Sequence, residues 1–228
     1  MPALGAGQHS EGQHSAADIA YLVIREEIAA GRLRGGQPVR EEQIVRVAGV
    51  SRTPVREALR RLAAEGLVEL EPRRGARVAK WEPEEVDEIF SLRVDLESHA
   101  AALAAERAGA DDVAKLALLC EEMREAVERF LADPCAGLTA VTDTNNRFHA
   151  RILELAGNRR LASVIEQVVQ RALVERTFHG YEPGQLRRSC RHHEEVVEAI
   201  AAGDPEWARA IMRTHILAGR AVAREAAR

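Results

Sequence analysis

The segment from Ser51 to Gly66, SRTPVREALRRLAAEG, constrains the fold of this chain more than any other. It predicts a helix with both ends written in. Ser51 or Thr53 can cap the free N–H groups of the first turn, Pro54 is tolerated there, and Gly66 supplies a stop. Val55, Ala58, Leu59, Leu62 and Ala63 follow the 3.6-residue period and form one buried stripe. Arg52, Arg56 and Arg60 recur every fourth residue on the other side, with Thr53 beside them. Long cations therefore project from a helix N-terminus that already favours phosphate. Such a helix suits the major groove of double-stranded DNA, where an arginine can reach a base edge with two hydrogen bonds.

The flanking residues agree. Ala20, Ile24 and Ile28 mark an amphipathic helix from Ala16 to Ala30 that ends at Gly31. Residues 40–48 predict a short second helix with Ile44, Val45 and Ala48 inward, and Gly49 permits a tight turn before Val50 re-enters the core. After the arginine helix, Leu67–Glu71 and Ala76–Ala79 predict two strands joined at Pro72-Arg73-Arg74-Gly75, a hairpin with a basic tip. A helix-turn-helix followed by a basic hairpin is a winged helix-turn-helix. The bland alternative, a solvated basic surface serving a protein–protein face, explains none of the caps, turn and hairpin that surround it.

The charge distribution points the same way. The chain's net charge of -4 argues against a polyanion partner when taken alone. Residues 1–80, however, carry 13 Lys and Arg against 10 Asp and Glu, while residues 81–228 carry 19 against 26. The positive charge thus lies in the segment that needs it.

At this point residues 16–80 closely resemble the DNA-binding domain of GntR-type bacterial transcription factors. The resemblance runs through Gly31-Arg-Leu-Arg-Gly-Gly36, Val50 to Leu59, Leu62 to Leu67, and Pro72 to Val78. It implies that Arg52, Thr53 and Arg56 contact a pseudo-palindromic operator, and that the wing near Gly75 approaches the minor groove. Ile44-Val45 departs from the Leu-Ala usual in relatives, a difference of core packing only.

From Pro83 onward the sequence predicts six helices, over about 83–107, 111–132, 138–156, 159–178, 182–202 and 205–226, with breaks at Gly or Pro positions and no strand-like alternation between them. Aromatic residues are only 4% of the chain, which leaves little material for a large sheet. The expected fold is mainly α: a winged helix-turn-helix over 16–80, then an antiparallel helical bundle over 83–226. Residues 1–15, with a doubled Gly-Gln-His-Ser, read as a disordered tail or an expression remnant, and no function falls to His9 or His14.

Asn145 and His149 share one helix face, while His193 and His215 fall on two other helices. Three imidazoles and an amide oxygen could converge on a divalent ion and leave coordination positions open. Spacing alone equally allows ordinary core-edge histidines. Arg93 and Glu97 are an i, i+4 pair, either a helix-surface ion pair or a cavity arginine that grips an effector carboxylate. His192 points off the face of His193 and is expected in solvent. His99 and His179 match no pattern.

Residues 84–222 resemble the FCD ligand-binding domain of one GntR branch. The residues that carry this are Leu92-Arg-x-x-Leu-Glu97, Asn145-x-x-Phe-His149 with Ala156-Gly-Asn158, His193-x-x-Val-x-x-Ala-Ile200 with Gly203-Asp204, and Met212-x-x-His215. The resemblance implies that Asn145, His149, His193 and His215 hold a divalent metal, Zn²⁺ first and Ni²⁺, Mn²⁺ or Fe²⁺ next, beside an organic-acid effector. Asn in place of the commoner Asp removes a charge and weakens the site. Six helices resemble the shorter subclass. The implied protein is a homodimeric, metabolite-responsive regulator, a repressor released by its effector.

A metal-dependent hydrolase or lyase would need an activated water and a base. The sequence has no His-Glu-x-x-His, because Val197 stands where the second histidine of the run from His193 should be. Cys120, Cys135 and Cys190, an odd number at wide spacing, suit a reduced cytoplasmic interior, and no stretch reads as a membrane span.

Overall fold

The structure, a computed structural model, describes residues 15–29, 31–72, 74–133, 138–169 and 171–227. The tail over 1–14, Arg73 and Cys135 lie outside the described residues. Contacts divide the chain into two compact units, Met1–Ala79 and Lys80–Arg228.

The first unit runs α1 (Ala16–Ala29), β1 (Pro38–Val39), α2 (Glu41–Ala48), α3 (Arg52–Ala64), β2 (Val68–Glu71) and β3 (Gly75–Val78). Ser15 and Asp18 open α1 by exchanging side-chain and backbone hydrogen bonds, each 3.1 Å. Ala20, Ile24, Ile44, Val55, Ala58 and Leu62 fill the core between α1, α2 and α3. Val45, Ala48 and Val50 are only half-buried, so Ile44 alone anchors α2. Gly49 takes a left-handed conformation, φ 67°, which turns α2 into α3 where a side chain would be strained. Ser51 sits at the N-cap of α3 but makes no side-chain capping bond. β2 and β3 form the expected antiparallel hairpin, and β1 adds to β3, for a sheet order β1-β3-β2. At two residues, β1 is too short to show any alternation.

The second unit contains α4 (Pro83–Arg107), α5 (Ala110–Ala132), α6 (Thr139–Ala156), α7 (Arg159–Val168), α8 (Arg171–His179), α9 (Pro183–Ala201) and α10 (Pro205–Ala226). Helix α4 packs on α10, α6, α7 and α9, while α5 packs on α6 and α9. Small side chains let α4 approach its neighbours closely: Ala100, Ala101 and Ala104 are fully buried. The single helix expected over 159–178 is instead two, so this unit has seven helices among the described residues, and the count of six is corrected. Val169 closes α7 in an extended conformation, ψ 100°. Neither Gly nor Pro stands there; the break falls at consecutive β-branched residues, Val168 and Val169, which favour helix only weakly. Among the described residues, no helix is long and apolar enough to cross a membrane.

Candidate nucleic-acid interface and metal centre

Packing of α3 through Val55, Ala58, Leu59 and Leu62 turns Arg52, Thr53, Arg56 and Arg60 outward, all exposed. The first turn of α2 meets two of these arginines. Arg52 Nη2 lies 2.8 Å from Glu42 Oε1, and Arg56 Nε donates to both oxygens of Glu41, at 2.9 and 3.1 Å. Both arginines remain about three-fifths exposed, with side-chain values of 61% and 60%. Surface pairs of this kind contribute at most about 1 kcal/mol. They steer the guanidinium groups without withdrawing them from a partner. Arg61 leaves this face altogether: its guanidinium pairs with Asp18 at 2.6 Å and lies 4.5 Å from the Tyr21 ring. In the wing, Arg74 and Gly75 are exposed, and Arg77 ties Glu71 to the carbonyl of Gly36. The glutamates of α2 are the participants that sequence reading missed.

In the second unit α6, α9 and α10 bring His149, His193 and His215 together. One ligand atom from each ring lies within 4.8 Å of the others. His193 Nε2 faces His215 Nε2 at 3.2 Å, and His193 Nδ1 contacts Met123 Sδ at 3.1 Å. Phe148 stacks on the His193 ring at 4.3 Å and fixes its plane. Burial first, and then the charges of neighbouring groups, push His193 and His215 well below the ordinary histidine value. Both are therefore neutral at neutral pH, the form that binds metal.

Glu97 completes the arrangement. One oxygen accepts from Arg93 Nε and the other from His149 Nδ1, each at 2.7 Å. Burial alone raises a carboxyl pKa, but the Arg93 charge and the His149 contact outweigh it and bring Glu97 down to about 2. His149 donates a hydrogen bond from Nδ1 to Glu97, and its Nε2 is buried without a partner, as is His215 Nδ1. A carboxylate–histidine pair of this kind sets the tautomer and raises the basicity of a metal-binding ring. Three imidazoles, two orphaned buried nitrogens and a backing carboxylate suit a borderline-soft divalent ion.

Asn145 is buried and lines the same void as His149 and His215. Arg93 and Glu97 are 6% and 4% exposed, which corrects the surface ion-pair alternative: the pair is internal, and Arg93 lines the cavity beside the triad. His192 is corrected too. It is half-buried, its ring lies 6.0 Å from that of His215, and its Nδ1 is buried without a partner. His179 bonds the Glu175 carbonyl near the end of α8 and His99 is exposed on α4, both away from the triad. Sequence reading paired Glu97 with Arg93 alone; the motif contained the residue, but not its second contact.

Comparison with known proteins supplies context for both sites. Residues 17–78 match bacterial regulatory proteins of the gntR family, and residues 88–218 match the FCD domain. The chain is 27% identical over 198 residues to the uncharacterized HTH-type transcriptional regulator YdhC of Bacillus subtilis (strain 168), spanning 87% of this chain and 84% of that protein. It is 33% identical over 199 residues to the probable D-xylose utilization operon transcriptional repressor of Paenarthrobacter nicotinovorans, spanning 84% and 81%. Among solved structures, E. coli McbR/YncC superposes with a TM-score of 0.66 at 24% identity, over 93% of this chain and 99% of that one, a likeness of fold.

Proposed function

The chain belongs to the GntR family of bacterial regulatory proteins and carries an FCD domain, and from that premise we propose that it is a repressor released by a small organic acid bound beside a divalent metal. It is a transcription regulator and not an enzyme. The finer reading assigns Arg52, Thr53, Arg56, Arg60, Arg73, Arg74 and Gly75 to operator contacts. It assigns Asn145, His149, His193 and His215 to the metal, with Zn²⁺ first in order, and Arg93 to the effector carboxylate.

The observation that carries this reading is the shared wall: Arg93, Asn145 and His149 line a cavity that adjoins the histidine triad. A bound divalent ion supplies positive charge and open coordination positions at that wall; Arg93 supplies directional hydrogen bonds to a carboxylate. The relative named a repressor supports the direction of control. Two copies of the chain, each placing one α3 in the major groove, read two inverted half-sites about one helical turn apart. The effector shifts DNA affinity only by as much as it distinguishes the DNA-binding arrangement from the released one.

The test is duplex-DNA affinity by fluorescence anisotropy, for protein stripped of metal and for protein reloaded with Zn²⁺, across a panel of small carboxylic acids. At least one acid is expected to weaken DNA binding by about fivefold or more in the reloaded protein, and to do nothing in a His149→Ala, His215→Ala variant. DNA affinity indifferent to metal and to every acid would overturn the reading.

A further inference from the structure

The cavity at the Arg93 wall has two unequal chambers. The inner one, between Arg93, Phe90, Tyr181, His215 and Gly219, has a volume of about 20 Å³, room for one water-sized group. The outer one, about 540 Å³, extends away from the triad between α6 and α7. Arg93, Asn145, His149 and Val174 line both and so mark the junction.

The two ends differ in chemistry. The outer chamber is walled by Ala150 and Leu153 of α6, by Ala162 and Ile165 of α7, by Val169, and by Val174 of α8. Besides Arg93, Arg159 is the one guanidinium in the lining of the outer chamber, and Glu154 of α6 and Glu166 of α7 line it as well. Glu154 is also paired with Arg151 at 2.7 Å, and the Asn158 side-chain oxygen is taken by the backbone N–H of Leu161. Glu154, Asn158, Arg159 and Glu166 are all exposed, so a second carboxylate there would stay hydrated and gain little over water. An apolar body instead gains by leaving water along Ala162, Ile165 and Val169.

We infer that the effector is an amphipathic monocarboxylate: its carboxylate sits at the Arg93–Asn145–His149 junction, and its apolar chain or ring fills the outer chamber along Ala162 and Ile165. The inner void is too small for anything beyond the head group, so the body must run outward. The volume of the outer chamber is typical of sites for ligands larger than a short di- or tricarboxylate. This inference rests on the acid-effector reading above and narrows it.

The experiment is isothermal titration calorimetry of the full chain loaded with Zn²⁺, using straight-chain acids from propionate to octanoate, the eight-carbon diacid suberate, and octan-1-ol. Affinity is expected to climb roughly two- to fourfold per methylene along the series. Suberate and octan-1-ol should each bind at least about tenfold more weakly than octanoate, the first for its second charge and the second for lacking the first. Ala162→Phe, which places a ring in the chamber, should abolish the gain with length. A flat series, or suberate equal to octanoate, overturns this inference and leaves an acid effector standing; octan-1-ol equal to octanoate overturns this inference and the acid-effector reading together. If no acid of any length binds, the acid-effector reading itself falls, and this inference with it.

Discussion

Glu97 holds His149 through a 2.7 Å contact between Oε2 and Nδ1, while its other oxygen holds Arg93 at the same distance. One buried carboxylate thereby orients a candidate metal ligand and neutralises a candidate effector contact. Glu97→Gln removes the charge and leaves one acceptor oxygen for two donors, so at least one contact is lost. It leaves a buried guanidinium unpaired, which costs about 3–5 kcal/mol, and it should weaken Zn²⁺ binding by about 10- to 100-fold. Thermal unfolding and a competitive zinc titration measure the two effects separately; an unchanged zinc affinity would show that His149 does not depend on Glu97.

On the arginine face, Arg52→Ala or Arg56→Ala should each cost about 1–3 kcal/mol of operator binding and relax preference at one base position. Glu41→Gln should act differently, because Glu41 grips Arg56 at Nε. Removing its charge should raise affinity for random duplex and reduce the ratio of specific to random binding. Equal gains on both duplexes would reduce Glu41 to a source of repulsion.

Acid should destabilise the metal-free protein in two windows. His193 and His215 lie well below the ordinary 6.5 in the folded chain, so the unfolded chain binds more protons and stability falls as pH drops below 6.5. Glu97, held at about 2 against an ordinary 4.5, contributes stability that is complete above 4.5 and fades as pH falls toward 2. Urea midpoints between about pH 8 and pH 3 check this. A profile flat through the upper window would contradict the burial of two neutral imidazoles.

Gly219 lets α10 lie against Phe90 and Tyr181. A Cβ there would come within 3.2 Å of Tyr181 Oη and 3.4 Å of Phe90 Cε1. Gly219→Val should lower stability by about 1–3 kcal/mol through overpacking, whereas Gly184→Ala, with open space around it, should not. Thermal midpoints of the two variants decide the matter.

How much of this was legible depended on what kind of signal each feature leaves in sequence. The arginine face of α3 was readable because a buried stripe, a Gly turn and a wing surround it. The histidines were readable through the motifs that carry them, although only the structure brings three rings together. The burial of Arg93 and Glu97 was not readable: α4 packs against four other helices, so no polar stripe separates inside from outside. The α7–α8 break lacked Gly or Pro, and β1 was too short to alternate. His192 was misplaced because helical rotation gives the direction of a side chain from its own axis, not what α10 packs over it.

The most direct measurement of the central claim is selection from randomised duplex oligonucleotides by the full chain, in metal-loaded and metal-free form. The account predicts a consensus of two inverted half-sites for the wild type, lost when Arg52 and Arg56 are both replaced by alanine. Enrichment of no sequence in either form, or the same consensus from the double variant, would contradict it.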